Sequence, residues 1–249
     1  MKNQGTKHSV LGIIPARGGS KGIARKNIRL LAGVPLLVYT ARAALQSHSL
    51  ARIVLSTDDP EIARIGKAEG IDVPFLRPSE LALDSTPMID VVRHVLDWVQ
   101  SQGAHYRAIC LLQPTSPLRT AQTIDRCIAL LFERDVDSVI SVRPVPSEYN
   151  PHWVYFQTPS GLLQPGLEGS ERISVRQKLP PAFHCDGNVF STKTEMVLLR
   201  NLVYGGRMLG VVSSEEEACD LDTEEQWAAL EQKLRYVHES VIGSHSTRE

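Results

Sequence analysis

The sequence contains little that would suit an oxidising compartment or a membrane. Its 249 residues include four cysteines, which lie far apart and form neither a Cys-x-x-Cys motif nor another metal-ligand spacing. We expect reduced thiols that fill space in the core of a cytoplasmic protein. No apolar run approaches the roughly 18–20 residues that cross a bilayer, and the polar first nine residues do not resemble a signal peptide. We therefore expect no membrane partner.

The chain also lacks a strong net charge, which is −1 at pH 7. This balance argues against a general nucleic-acid binder. The charge is uneven, however, because residues 1–57 contain nine Lys or Arg and no Asp or Glu, whereas the remainder contains 18 basic and 28 acidic residues. The asymmetry predicts a local anion site near the start of the chain. The alternative is a bias that averages out over the folded surface.

The order of apolar and amphipathic segments predicts the fold class. A hydrophobic fraction of 42% and a charged fraction of 22% exclude a disordered chain or a coiled coil. Strands are predicted at 10–16, 52–56, 73–76, 108–112, 138–142, 187–191 and 208–212. Helices are predicted at 35–46, 59–69, 86–100, 120–134 and 223–239. This alternation predicts an α/β fold with a mainly parallel sheet and helices on both faces.

Residues 144–181 interrupt the alternating pattern. They contain seven of the fifteen prolines together with four aromatic residues, a composition too aromatic for a flexible linker. We expect one domain over residues 1–249, with this segment inserted at about 144–181 as a lid or a subunit contact.

A glycine-rich loop, Pro15-Ala-Arg-Gly-Gly-Ser-Lys-Gly22, follows the first predicted strand. Open α/β sheets bind ligands beyond the carboxyl ends of their strands, and glycines let backbone N–H groups approach an anion. The loop fits neither the P-loop nor the dinucleotide G-x-G-x-x-G motif, which argues against a dehydrogenase. Residues 15–29 hold five cations and no acid. The loop therefore predicts a phosphate site, with a solvated basic turn as the alternative.

Two further segments carry candidate site residues. Gln113-Pro-Thr-Ser-Pro-Leu-Arg119 follows a buried strand, and its two prolines would hold Gln113 stiffly against a base or sugar edge, unless the segment is only a rigid turn. In Asp220-Leu-Asp222-Thr223, an extended backbone would place both carboxylates on one face, where they would suit Mg²⁺. The alternative is an N-cap with a Thr223–Gln226 capping box, which leaves Asp220 without a role.

The sequence resembles the acylneuraminate cytidylyltransferases, also called CMP-sialic acid synthetases. Six motifs occur in the family's order and cover about residues 11–230: IIPARGGSKGIARKN (13–27), LSTDDPEIA (55–63), LRPSELA (76–82), LLQPTSPLR (111–119), RQKLPPAF (176–183) and DLDT (220–223). The resemblance implies a nucleotide-diphospho-sugar transferase-like fold. It also implies a cytidylyltransferase that joins CTP to a 2-keto-3-deoxy nine-carbon sugar acid with Mg²⁺, releasing pyrophosphate, in cell-surface polysaccharide biosynthesis.

The resemblance also implies site residues and an assembly. The nucleotide-binding set is Arg17, Ser20, Lys21, Lys26 and Asn27. The set near the nucleotide and the sugar acid is Arg77, Gln113, Arg176, Gln177 and Asp186. The metal pair is Asp220 and Asp222, and the catalytic set is Lys21, Arg17 and Asp220. Family members are homodimers whose proline-rich segment reaches over the partner's active site, which would account for residues 144–181. No general base stands out.

The chain departs from the family pattern at two places. His184-Cys185-Asp186-Gly187 stands where sialic acid enzymes tend to have Arg-Pro-Asn-Gly, and Met88 stands where they often have a small hydroxyl residue. The first difference leaves the sugar open among sialic, legionaminic and pseudaminic acids, and Kdo or its 8-amino analogue. A non-catalytic nucleotide-sensing module is a further alternative, which the intact cationic and acidic motifs disfavour.

Overall fold

The computed structural model describes residues 9–169, 173–217, 219 and 221–243, with side chains described as far as residue 235. In chain order the strands are β1 (Val10–Pro15), β2 (Leu30–Leu31), β3 (Val34–Pro35), β4 (Arg52–Ser56), β5 (Ala108–Leu111), β6 (Ser138–Pro144), β7 (Tyr155–Gln157), β8 (Leu163–Pro165), β9 (Phe183–Lys193) and β10 (Met208–Val212). The α-helices are α1 (Leu36–Gln46), α2 (Pro60–Ala68), α3 (Met88–Ser101), α4 (Ala121–Glu133), α5 (Thr194–Arg200) and α6 (Glu224–Gly243).

A six-stranded sheet in the order β10-β6-β9-β5-β1-β4 forms the centre of the molecule. Five strands run parallel to one another, and β9 runs antiparallel to both of its neighbours, β5 and β6. Apolar residues of α1, α2 and α4 cover one face, and those of α3 and α5 cover the other. The predicted α/β fold with helices on both faces is therefore confirmed.

Two predicted strands differ from the observed elements. Residues 73–76 form no strand within the described chain, and only Asp72 makes an isolated bridge, to Val54. Pro74 lacks the backbone donor that a ladder needs, which explains the missing pairing. The strand predicted at 187–191 extends over the longer range of β9, because its polar first half pairs with the end of β6 beyond a register shift.

The closing helix packs against the start of the chain. Trp227 and Leu230 of α6 share an apolar cluster with Ile23 and Leu31 from the segment after β1, and Leu221 belongs to the same cluster. Arg29 lies over the Trp227 ring, 4.7 Å from its centroid. This packing brings the acidic segment before α6 beside the glycine-rich loop, although about 200 residues separate them in sequence.

Residues 144–181 leave the sheet after β6 and return at β9. Strands β7 and β8 form a hairpin whose residues are all exposed. The base of the excursion is tied internally, since Asn150 Nδ2 donates to the carbonyl of Pro180 at 2.9 Å and Trp153 Nε1 to that of Ile173 at 2.6 Å. In the part of the chain that the structure describes, no helix is long and apolar enough to cross a membrane.

Candidate active site

A cleft of about 300 Å³ opens at the carboxyl ends of β1 and β5. Because these strands are parallel and adjacent, the loops that follow them meet at one edge of the sheet. The cleft is lined by the glycine-rich loop, by residues between 77 and 91, and by residues 113–115. The structure therefore places two of the three predicted functional segments in its walls.

The glycine-rich loop is held in place by hydrogen bonds on both sides. Asn27 Nδ2 donates to the carbonyl of Arg17 at 2.9 Å, and the Gly18 N–H donates to Asp58 Oδ1 at 3.0 Å. A Cβ at Gly18 would lie 2.8 Å from a carboxylate oxygen of Asp59, so glycine is needed for this approach. Arg17, Ser20, Lys26 and Asn27 all line the cleft.

Lys26 links the loop to the acidic segment. Its Nζ donates to the carbonyl of Leu221 and to Asp222 Oδ1, both at 2.9 Å. A Cβ at Gly22 would collide with the carbonyl oxygen of Asp222, which shows how closely the two segments pack. The Leu221 N–H donates to the carbonyl of Thr115 at 3.0 Å. All three predicted segments are thus in direct contact.

The start of α6 agrees with the capping alternative without excluding a metal. Gln226 Oε1 accepts the N–H groups of Asp222 and Thr223 at 2.7 and 2.9 Å, and Thr223 Oγ1 accepts the Gln226 N–H at 3.3 Å. This is the predicted capping box, with Thr223 as its hydroxyl. The Asp222 carboxylate takes no part in it and faces Lys26 instead. Asp220 lies outside the described residues.

An acid that the sequence reasoning missed lies in the cleft. Asp84 bridges two predicted phosphate ligands, with Oδ1 2.5 Å from Arg17 Nη1 and Oδ2 2.9 Å from Lys21 Nζ. The hydrogen bond from Lys21 holds the pKa of Asp84 below its ordinary value, and Arg17 acts in the same direction. Its position just after the LRPSELA motif was the only available signal, because nothing local in the sequence pairs it with the glycine-rich loop.

Arg77 is a buried cation at the cleft wall. It is 5% exposed, and its nearest carboxylate oxygen, Asp58 Oδ1, lies 3.6 Å from Nη2. Its Nε is buried without a hydrogen-bond partner among the described residues. Burial lowers the pKa of Arg77, while Asp58 acts against that change. A partly unsatisfied guanidinium that lines a cleft is a good candidate for binding an anionic ligand.

The loop carrying Gln113 is held from below by Arg119, for which the sequence reasoning proposed no role. Arg119 is buried and donates to the carbonyls of Gln113 and Asn188, at 2.8 and 2.6 Å, and to Thr40 Oγ1 at 3.0 Å. Burial lowers the pKa of Arg119 to about 10, so the guanidinium stays charged at neutral pH. The motif's stiffness therefore comes from this cation as well as from its two prolines.

Three predicted substrate residues lie outside the cleft of this chain. Arg176 and Gln177 are exposed in a 3₁₀ turn of the excursion, where Arg176 Nε donates to Ser147 Oγ at 2.9 Å. Asp186 is buried, and its carboxylate accepts the hydroxyls of Ser141 and Ser213 and the N–H of Asn188. These internal contacts favour a structural role for Asp186, joining three strands, over the predicted substrate contact.

The two departures from the family pattern, at Met88 and at His184, lie in different places in the structure. Met88 lines the cleft at the start of α3, so an apolar residue forms part of the wall there. His184 is exposed on β9, opposite Arg143, and its Nδ1 lies 3.1 Å from the carbonyl of Cys185.

Comparisons with known proteins identify the family of this chain. The profile of the cytidylyltransferase family matches residues 11–154. A CMP-N,N'-diacetyllegionaminic acid synthase from Legionella pneumophila is 32% identical over 94% of this chain and 99% of its own length. A pseudaminic acid cytidylyltransferase from Campylobacter jejuni is 28% identical over 92% of this chain and 98% of its own.

Longer relatives and a solved structure extend the comparison. An N-acylneuraminate cytidylyltransferase from Escherichia coli is 29% identical over 86% of this chain, which spans about half (49%) of that relative's length. The structure of a CMP:2-keto-3-deoxy-manno-octonic acid synthetase complexed with CTP superposes with a TM-score of 0.69, covering 92% of this chain and 99% of that one. At 13% identity, that likeness shows the fold alone.

Proposed function

This chain belongs to the cytidylyltransferase family, and on that premise we propose that it joins CTP to a nine-carbon 2-keto-3-deoxy sugar acid. The products are the CMP-sugar and pyrophosphate. The observation that carries the proposal is the direct contact of three segments. The cationic loop with Lys26 and the stiff loop with Gln113 line the cleft, and the acidic segment with Asp222 contacts both of them. Nucleotidyl transfer needs a site for phosphate groups, a polar group that can hydrogen-bond the edge of the base, and a carboxylate.

The proposed reaction is an in-line displacement at phosphorus. The anomeric hydroxyl of the sugar acid attacks the α-phosphorus of CTP, its proton is lost, and pyrophosphate leaves from the opposite side. Arg17, Lys21 and Lys26 would bind the triphosphate and balance the charge that grows on the leaving group. Gln113, whose carbonyl accepts a hydrogen bond from Arg119, would bind the base or the sugar and so position the reacting atoms.

Mg²⁺ is part of the proposal, with Asp222 and Asp220 as its protein ligands. The side chain of Asp222 is 61% exposed and supplies hard oxygen atoms beside Lys26, at the mouth of the phosphate site. Mg²⁺ usually binds through one or two carboxylates together with substrate phosphates, which fits such a donor set. When bound, the ion would supply charge neutralisation at the phosphate oxygens.

The class of sugar acid is proposed from relatives that match over their full length. Their names refer to legionaminic and pseudaminic acids, both nonulosonic acids. Kdo is less well supported, because the likeness to the Kdo enzyme is one of fold alone. A nucleotide-sensing module without activity is disfavoured, because the relatives that match over their full length are named as a synthase and a cytidylyltransferase.

We further propose a cytoplasmic homodimer. The excursion exposes Tyr155, Phe156, Leu162 and Leu163, and exposed aromatic and aliphatic side chains on one hairpin are typical of a subunit contact. In a dimer, Arg176 and Gln177 could reach a partner's cleft. Cys110 and Cys127 are buried in the core, and burial raises the pKa of Cys110 to about 12, which fits an inert thiol in a reducing compartment.

Two experiments test these proposals. Pyrophosphate release should be measured with CTP and Mg²⁺ against a panel of sialic, legionaminic and pseudaminic acids, with Kdo as the eight-carbon comparison. We expect turnover with a nine-carbon acid, and turnover with Kdo alone would contradict the assignment. Light scattering should show a dimer at micromolar concentration, and a fully active monomer would contradict the assembly.

A further inference from the structure

Asp84 lies between the two cations that the proposed function assigns to the triphosphate. One carboxylate oxygen is 2.5 Å from Arg17 Nη1, and the other is 2.9 Å from Lys21 Nζ. A phosphate group would bridge the same two cations with two of its oxygens. The carboxylate of Asp84 therefore occupies the position that one phosphate group of the triphosphate would take.

The surroundings of Asp84 allow it to leave. Leu83, Asp84 and Ser85 are all exposed, so the segment can move without uncovering the core. The side chain of Lys21 is 78% exposed, and that of Asp84 is 41% exposed. Ion pairs that water reaches so freely are screened and contribute little to stability. A ligand with several phosphates can therefore compete with this single carboxylate.

Another ion pair of the same loop shows the opposite arrangement. Arg25 Nη1 lies 2.5 Å from Asp59 Oδ2, and the side chain of Asp59 is only 12% exposed. Asp59 also accepts the backbone N–H groups of Glu61 and Ile62 as the N-cap of α2. Separating Asp59 from the loop would disturb a helix terminus. The Asp84 carboxylate, by contrast, bonds to cations of the cleft itself.

We propose that Asp84 is an exchangeable internal anion, which occupies Arg17 and Lys21 until the triphosphate displaces it. This inference rests on the proposed function for the identity of the displacing ligand. CTP and pyrophosphate each carry several negative charges and can displace Asp84. The CMP-sugar keeps only one phosphate, so the return of Asp84 would accompany the departure of pyrophosphate. Asp84 would thus set how much phosphate charge a ligand needs for binding.

The test measures binding without turnover. CTP and inorganic pyrophosphate are titrated separately into the full chain by calorimetry, in a buffer with a chelator that removes divalent cations. Asp84→Asn keeps the size of the side chain and removes its charge. Glu80→Gln is the matched control, because it removes one exposed charge from the same segment, where the carboxylate contacts Ser79 Oγ at 3.5 Å.

We expect Asp84→Asn to tighten the binding of both ligands by the same factor. The factor is about threefold if Asp84 is seated two thirds of the time, and about tenfold if it is seated nine tenths of the time. Glu80→Gln should change neither affinity appreciably, and the melting temperatures should agree.

Two results would overturn the proposal. Unchanged or weaker pyrophosphate binding by Asp84→Asn would mean that the carboxylate does not compete with the ligand. If Asp84→Asn and Glu80→Gln raise the ligand affinity equally, the effect comes from the loss of a negative charge near the site and not from competition by Asp84. The pyrophosphate titration involves neither cytosine nor sugar, so it stands even if the cytidylyl transfer assay of the wild-type protein fails.

Discussion

The segment 15–29 carries five cations that fall into two groups. The inner cations are Arg17, Lys21 and Lys26, the outer ones are Arg25 and Arg29, and the two groups contact different acids. On the inner side, Arg17 and Lys21 meet Asp84, which lines the cleft, and Lys26, which also lines it, meets Asp222. On the outer side, Arg25 and Arg29 pair with acids at the starts of α2 and α6. The sequence shows five similar cations, and only their partners in the structure separate the proposed ligand-binding side chains from the structural ones.

The outer cations attach this segment to two helices. In the proposed function the inner cations bind the triphosphate. Variants on each side should therefore lose different properties: activity for the inner residues and stability for the outer ones.

The largest effect is expected at the acidic segment. Asp222→Asn removes a proposed metal ligand and leaves the Thr223–Gln226 capping box of α6 in place, so activity should fall by about 100-fold or more with little change in melting temperature. Asp220→Asn should behave alike. The measurement is the turnover rate of each variant at saturating CTP, over a series of Mg²⁺ concentrations. Near-wild-type turnover at the same Mg²⁺ midpoint would show that the segment serves only as a helix cap.

The second prediction compares the two halves of the loop directly. Lys21→Ala removes a cation from the phosphate site and should cost on the order of 2–4 kcal/mol of transition-state stabilisation. Arg25→Ala should leave kcat/KM close to that of the wild type, because its partners Asp59 and Glu61 lie on α2. Steady-state kinetics on both variants decides the question, and equal losses would mean that the phosphate site has been misplaced.

A smaller effect, on stability alone, is expected from the outer half. Asp59→Ala removes the cap of α2, whose carboxylate accepts two backbone N–H groups, and should lower the free energy of unfolding by about 1 kcal/mol. Asp59→Asn is the control, because asparagine can also cap a helix. Chemical denaturation of both variants provides the values. A loss of activity without a loss of stability in Asp59→Ala would contradict the structural assignment of this side.

The sequence predicted the strands and loops that carry local signals. β4 has its predicted bounds because Arg52–Ser56 is a short apolar run between a loop and a well-capped helix. The strand predicted at 73–76 is wrong because the apolar pattern took no account of Pro74, which cannot donate to a ladder. The local sequence pattern therefore predicts whether a segment is extended better than it predicts whether that segment pairs in a sheet.

The side chains that were missed depend on contacts between distant segments. Asp84 meets Arg17 across 67 positions, and Arg119 reaches the carbonyl of Asn188 across 69. Asp186 was assigned from a motif, yet its carboxylate is bonded to Ser141 of β6 and to Ser213, which follows β10. No spacing rule reports such contacts, because they arise from how the sheet orders its strands.

The central claim, that the cleft transfers a cytidylyl group, is tested most directly by nucleotide choice. Initial rates of pyrophosphate release should be measured with CTP, UTP, ATP and GTP, each with Mg²⁺ and the best sugar acid of the panel. A stiff polar loop that reads the base should favour CTP by more than about 100-fold in kcat/KM. Comparable rates with all four nucleotides would contradict the claim.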